Sequence, residues 1–187
     1  MSKWNPYVCW ESEIPSDICD KIINSIHPSQ YTMGTVGKDS NNIVDNTIRN
    51  VDIKFSDNSW INSMLVGYIM KANCCNFKYN LSDCDKEQVQ ISRYTKGKYY
   101  NRHTDFGSDS SHMGHTRKLS ATVQLSDEES YDGGDFVLYH INDTIIAPRS
   151  KGTVFIFDSR IPHQVKPIIC GVRFSLVKWY HGDLPLR

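Results

Sequence analysis

The sequence has no C-x-x-C pair among its 6 cysteines, which removes the spacing expected of a zinc knuckle or a thioredoxin-like redox site. Cys74 and Cys75 are adjacent, a poor geometry for pairing with each other, and Cys9, Cys19, Cys84 and Cys170 are scattered. No apolar run reaches transmembrane length, and the start, Met1-Ser-Lys-Trp-Asn-Pro6, lacks the apolar stretch of a signal peptide. The expectation is a reduced, cytoplasmic protein with no membrane partner, whose cysteines fill space. An excess of charge is missing too. Lys plus Arg and Asp plus Glu number 21 each, so no global field draws the chain onto phosphate backbones, and nucleic acid is disfavoured as a partner. No repeat, low-complexity block or linker divides the 187 residues, so residues 1–187 read as one domain.

What is present changes character near the middle. In the first part, Ser16 or Asp17 can cap a helix carrying Ile18, Ile22 and Ile26 and closed by His27-Pro28. A longer stripe, Trp60, Ile61, Met64, Leu65, Tyr68, Ile69 and Ala72, predicts a helix from near Ser59 to about Asn73. Both stripes suit packing against a sheet, while the Gly- and Asn-rich segment 34–50 reads as irregular. From about Glu87 the period becomes two. Val89 and Ile91 alternate with polar residues, as do Leu119, Ala121, Val123 and Leu125, and a Gly133-Gly134 turn follows. Phe136–Tyr139, Thr153–Phe157 and Val172–Trp179 add further strands. Short strands between turns indicate an all-β sandwich or barrel, so the fold class is α+β, with helical support over about 1–80 and a β-core over about 87–181.

The chemistry concentrates on that core. His103 and Asp105 stand two apart at a strand edge, so their side chains fall on one face. A third ligand is needed, and His163, 60 residues on in Arg160-Ile-Pro-His163, follows a strongly apolar strand. Two histidines and a carboxylate occupy one face of an octahedron, the set that suits non-haem Fe(II) oxygenases. Ten residues later Arg173 lies inside the apolar strand Val172–Val177, where a guanidinium requires an anion and its fork suits a carboxylate. If Leu119, Ala121, Val123 and Leu125 pack against the helices, Ser120, Thr122 and Gln124 face the barrel mouth.

These motifs carry a resemblance. Arg93-Tyr94, Gly97 and Tyr100-Asn-Arg-His103-Thr-Asp105 look like the metal-binding strand of the prolyl-4-hydroxylase group of 2-oxoglutarate oxygenases. Leu119–Ser126 with Tyr131-Asp-Gly-Gly134 resembles more closely the PKHD-type hydroxylases, a bacterial and phage-associated branch. Pro162-His163-Gln-Val165, Gly171-Val-Arg173-Phe-Ser175 and Trp179 complete the pattern, which spans roughly Gln88 to Trp179. The resemblance implies a double-stranded β-helix, a jelly-roll or cupin-like barrel braced by the N-terminal helices. It implies Fe(II) on His103, Asp105 and His163, and 2-oxoglutarate as co-substrate with its far carboxylate on Arg173. Dioxygen is the second co-substrate and ascorbate is admitted as a reductant. Tyr94, Thr122 and Gln124 are then contacts for the co-substrate. Gln124 stands where the animal prolyl hydroxylases carry a tyrosine. Asp105 separates the chain from related halogenases, which lack that carboxylate. Trp179 stands where alkylated-base demethylases carry a second arginine. The implied partner is a protein or peptide hydroxylated on a side chain, a prolyl residue foremost, with a free amino acid or other small molecule as the alternative. A non-catalytic binding barrel is the reading from another class.

The polar loop 106–116, with His112 and His115, reads either as a lid that contacts substrate or as plain exposed loop. Trimming it is expected to change substrate affinity and leave iron affinity intact, measured by separate titrations. Equal loss of both removes the lid reading.

Overall fold

Two helices form where the apolar spacing places them. In the computed structural model, which describes residues 5–36, 43–82, 87–106, 115–141 and 143–183, α1 spans Ser16–Asn24 and α2 spans Ser59–Ala72. The start of α1 departs from expectation. Neither Ser16 nor Asp17 caps it; Pro15 holds the N-cap position and its carbonyl accepts from Ile18 and Cys19 N–H. Asp17 lies in the first turn, where negative charge suits the helix dipole. The helix also stops short of His27, whose side chain instead caps a 3-10 turn over Pro28–Gln30. In α2 the Asn58 side chain accepts from Trp60 N–H, and a π-helical turn, Asn73–Phe77, follows the helix. Its buried residues, Ile61, Leu65, Ile69 and Ala72, follow the expected stripe.

The rest is strand. In chain order these are β1 (Tyr7–Trp10), β2 (Thr32–Met33), β3 (Arg49–Asn50), β4 (Asp52–Ser56), β5 (Val89–Tyr94), β6 (Tyr99–His103) and β7 (His115–Gln124). Then follow β8 (Tyr131–Gly133), β9 (Phe136–His140), β10 (Asp143–Ile146), β11 (Val154–Asp158), β12 (His163–Val165), β13 (Ile168–Gly171) and β14 (Arg173–Asp183). They form a seven-stranded sheet ordered β1-β11-β7-β14-β5-β4-β2, a five-stranded sheet ordered β10-β9-β12-β6-β3, and the pair β13-β8. Among the described residues the strand pairings are antiparallel, as β1 on β11 and β12 on β6 illustrate. The fold is therefore mostly β with few helices. The first eighty residues are not only helical support. They add β1, β2 and β4 to the large sheet and β3 to the small one, and Tyr7 pairs with Phe157. The segment read as irregular ends in β3, which lies beside β6.

Two apolar clusters fix the layering. On one face of the large sheet, Ile61, Leu65 and Ile69 of α2 meet Leu119, Ala121, Val123, Ile156 and Leu176. Between the sheets, Tyr94, Phe155 and Phe157 meet Phe136, Leu138 and Val165. The alternation of β7 thus splits as expected, with Leu119, Ala121 and Val123 toward the helices and Ser120 and Thr122 toward the small sheet. Residues 107–114, with His112, lie outside the described residues, as does Cys84; His115 opens β7. Among the described residues, no helix is long and apolar enough to cross a membrane.

Leu65 is fully buried at the helix–sheet seam, whereas Trp60 on the same helix is 38% exposed. Leu65→Ala is expected to cost about 2–5 kcal/mol in urea unfolding. Trp60→Ala should cost less than about 1 kcal/mol.

Candidate active site

Register brings the three metal-ligand candidates together. β12 runs antiparallel to β6 with His163 directly opposite His103, and the two rings lie 4.2 Å apart. β6 ends at His103, so strand alternation alone does not aim Asp105. The Asp105 and Phe106 N–H groups both donate to the Ser159 carbonyl at 3.0 Å, which draws the chain after β6 onto the turn after β11. That turn is itself pinned, since Asp158 accepts from Arg160 N–H at 2.9 Å and from the Tyr79 hydroxyl. Asp105 Oδ1 then lies 3.7 Å from His103 Nε2, and Oδ2 lies 3.4 Å from His163 Nε2. The candidate ligand atoms all fall within 4.8 Å of one another.

The surroundings set which atoms are free. His103 Nδ1 faces the Asn101 carbonyl at 2.8 Å, and His163 Nδ1 faces the Ile161 carbonyl at 3.0 Å. A carbonyl only accepts, so each Nδ1 carries the hydrogen and each Nε2 presents a lone pair toward Asp105. Burial and the neighbouring His163 lower the His103 pKa to about 4, so the ring is neutral at pH 7. Burial raises the Asp105 carboxyl, but the two histidines, Arg117 and the Ser120 hydroxyl outweigh it and hold its pKa at about 2. Ser120 Oγ donates to Asp105 Oδ2 at 2.7 Å and lies 2.8 Å from Ser159 Oγ. A neutral His103 imidazole and an ionised Asp105 carboxylate are protonation states that suit a divalent cation.

Three of the four remaining expected residues line the same space. A cavity of about 450 Å³ contains the triad with Tyr94, Thr122 and Arg173 on its walls. Arg173 opens β14 opposite Tyr94 of β5, is 4% exposed, and stands 5.6 Å from the Tyr94 ring. Its contacts are a 3.4 Å bond to Ser175 Oγ and this ring; among the described residues no carboxylate pairs with it. Gly134 makes room for it. Its φ is +67°, and a Cβ there would collide with Ile168 and approach Arg173 Cδ to 3.3 Å. Gln124 does not line the metal cavity. It lines an adjoining one of about 310 Å³ that shares Thr122 and Arg173, and its Nε2 donates to Ser126 O and Tyr131 Oη at 3.1 Å each.

The sequence left Ser159, Tyr131 and Arg49 without a task at the site and placed Ser120 only at the barrel mouth. Ser120 and Ser159 hold Asp105, Tyr131 holds Gln124, and Arg49 reaches the metal cavity from β3. Tyr100 lines the same cavity and stacks on His103 with ring centroids 3.5 Å apart. Ser120 was visible as a polar position of an alternating strand. Arg49 gave no signal in a segment without period.

Comparison with known proteins agrees with this chemistry. Residues 89–181 match the model of the 2OG-Fe(II) oxygenase superfamily. A PKHD-type hydroxylase of Maricaulis maris is 33% identical over 92 residues, 49% of this chain and 41% of that protein. One of Cupriavidus metallidurans is 36% identical over 93 residues, 48% of this chain and 40% of its own length. The chain thus spans well under two thirds of these relatives. In solved structures, the fold is similar to that of a prolyl hydroxylase from Trichoplax adhaerens in complex with a hypoxia inducible factor peptide fragment. That likeness has a TM-score of 0.73 at 19% identity and covers 94% of this chain and 83% of that one. A Pseudomonas putida prolyl-4-hydroxylase gives a TM-score of 0.71 at 18% identity, covering 95% and 93%.

Removing the hydroxyl that steadies Asp105 should loosen the centre without deleting a ligand candidate. Ser120→Ala is expected to weaken divalent-metal binding about 10-fold or more, read by anaerobic titration.

Proposed function

We infer that this chain, a 2OG-Fe(II) oxygenase over residues 89–181, is a single-domain, prolyl-hydroxylase-like enzyme that hydroxylates a protein side chain, a prolyl residue foremost. The observation that carries this reading is the pairing of two features in one cavity. Three ligand atoms converge within 4.8 Å, beside a buried arginine that lacks a carboxylate partner among the described residues. His103, Asp105 and His163 hold the iron, and Arg173 anchors the far carboxylate of 2-oxoglutarate. Tyr94 and Thr122 line the cavity between them, and Gln124 stands in the adjoining cavity that shares Thr122 and Arg173. The two facing sheets are read as a double-stranded β-helix whose larger sheet is braced by the helices.

Iron with 2-oxoglutarate and dioxygen supplies the oxidising power to convert a C–H bond into C–OH, with release of succinate and CO2, and ascorbate serves as reductant. The chain's own residues prepare that chemistry. The carbonyls of Asn101 and Ile161 hold each imidazole by its Nδ1–H, so both Nε2 atoms stay available. Ser120 keeps the Asp105 carboxylate ionised and oriented. Phe157 and Phe136 pack their rings 4.7 and 5.6 Å from His163 and keep water from that side. Arg173 offers its planar fork to a dicarboxylate in two parallel bonds, which fixes the end farthest from the metal. The free thiols of Cys9, Cys19, Cys74, Cys75 and Cys170 fit action in a reducing cytoplasm, and the neutral total charge speaks against a nucleic-acid substrate.

The test is anaerobic binding of Fe(II) and 2-oxoglutarate, followed by succinate formation on admitting air. His103→Ala and Asp105→Ala are expected to abolish iron binding and turnover. Arg173→Ala should retain iron and raise the 2-oxoglutarate requirement about 30-fold or more. Wild-type activity in either iron-ligand variant refutes the assignment.

A further inference from the structure

The metal cavity contains a second buried guanidinium that the reading above leaves without a task. Arg49, on β3, is 8% exposed and lines the same cavity as His103, Asp105, His163 and Arg173. Strand pairing sets it opposite Tyr100, and its Cζ lies 4.8 Å from that ring, which in turn stacks on His103. Its terminal nitrogens donate to the Thr35 carbonyl and to Gln90 Oε1, both at 2.8 Å and both neutral. Its Nε has no partner, and no carboxylate pairs with the group among the described residues. Gly34 packs close over it, since a Cβ there would come within 2.8 Å of Nε. The side chain is therefore held in place, dry and charged.

A buried charge without a counter-ion costs several kcal/mol unless an anion arrives. The charges in the cavity show what is missing. Asp105 contributes one negative charge; Arg49 and Arg173 contribute two positive ones. The reading above adds a divalent iron and a doubly charged 2-oxoglutarate, which cancel each other. One positive charge remains. Trp179 gives an independent sign of the same ligand. It lines this cavity, is 8% exposed, and its indole N–H has no acceptor among the described residues. Guanidinium and indole N–H groups only donate, so the absent ligand must bring oxygen acceptors and a negative charge.

We propose that Arg49, assisted by Trp179 Nε1, binds a carboxylate carried by the substrate, and that the enzyme therefore selects substrates with a carboxylate near the hydroxylated carbon. The inference rests on the iron and 2-oxoglutarate reading. It narrows the substrate class to carboxylic acids: a free amino or imino acid, or a peptide whose target residue bears a free carboxylate. A substrate with an amide at that place leaves the guanidinium charge uncompensated and is rejected, because the lost ion pair is buried.

Matched acid and amide pairs test this. The probes are L-proline with L-prolinamide, and a proline-terminated tripeptide with its C-terminal amide. Each is titrated calorimetrically into anaerobic protein loaded with Fe(II) and 2-oxoglutarate. The wild type is expected to bind at least one acid about 30-fold or more tighter than its amide. The member that binds separates the free amino acid from the peptide terminus. Arg49→Gln should erase the preference, and Arg49→Lys should keep part of it. Both variants should bind iron and 2-oxoglutarate as the wild type does, which controls for folding. Acids and amides that bind alike, or not at all, while iron and 2-oxoglutarate bind normally overturn the proposal. So does a preference that survives in Arg49→Gln. If iron and 2-oxoglutarate themselves fail to bind the wild type, the parent reading falls.

Discussion

The antiparallel pairing of β6 with β12 is the constraint on which the rest of the site depends. It sets His163 opposite His103 across two neighbouring strands, a distance fixed by the ladder rather than by side-chain flexibility. Once the rings face each other, the carbonyl two residues before each histidine takes the Nδ1 hydrogen and leaves Nε2 free. Asp105 completes the set only because the turn after β11 catches its backbone. The site is thus built from three chain segments, and two of its three side chains are aimed by main-chain hydrogen bonds. Main-chain positioning is the most rigid kind available to a protein, and rigid placement is what a metal centre demands.

The large sheet makes that rigidity possible. Its outer face is covered by α2 and α1 through aliphatic contacts, and its inner face carries the polar residues Ser120 and Thr122 into the space between the sheets. One strand, β7, therefore serves both purposes because side chains alternate. A one-residue slip would turn Ser120 into the helix layer and Ala121 or Leu119 onto Asp105, so the packing of the helices also fixes the hydrogen bond to the carboxylate.

Charge is distributed by the same geometry. The inner surface collects Arg173 and Arg49 from two strands and Asp105 from the segment after β6, whereas Arg117 pairs with Glu87 and Arg160 with Asp158. Local pairs satisfy themselves. Among the described residues the two cavity arginines have no such pair, and a buried guanidinium with only neutral partners is a strong indicator of an anionic ligand. Arg173 and Arg49 reach the cavity from different strands, β14 and β3.

By itself the sequence determined the two helices, the long alternating strands and the identity of the metal-ligand candidates. These follow from local periods and residue chemistry, which a chain expresses without knowing its partners. The capping of α1 was misjudged because a proline carbonyl supplied the bonds a Ser or Asp side chain could have made. Strands β1 to β4 were not legible either, since short segments without alternation become strands only when a distant partner, such as Phe157 for Tyr7, offers its edge. Tertiary structure alone decided how Asp105 is held, that Gln124 and Tyr131 bond to each other, and that Arg49 reaches the cavity. Each of these depends on segments far apart in the chain meeting in space, and no local pattern records such a meeting.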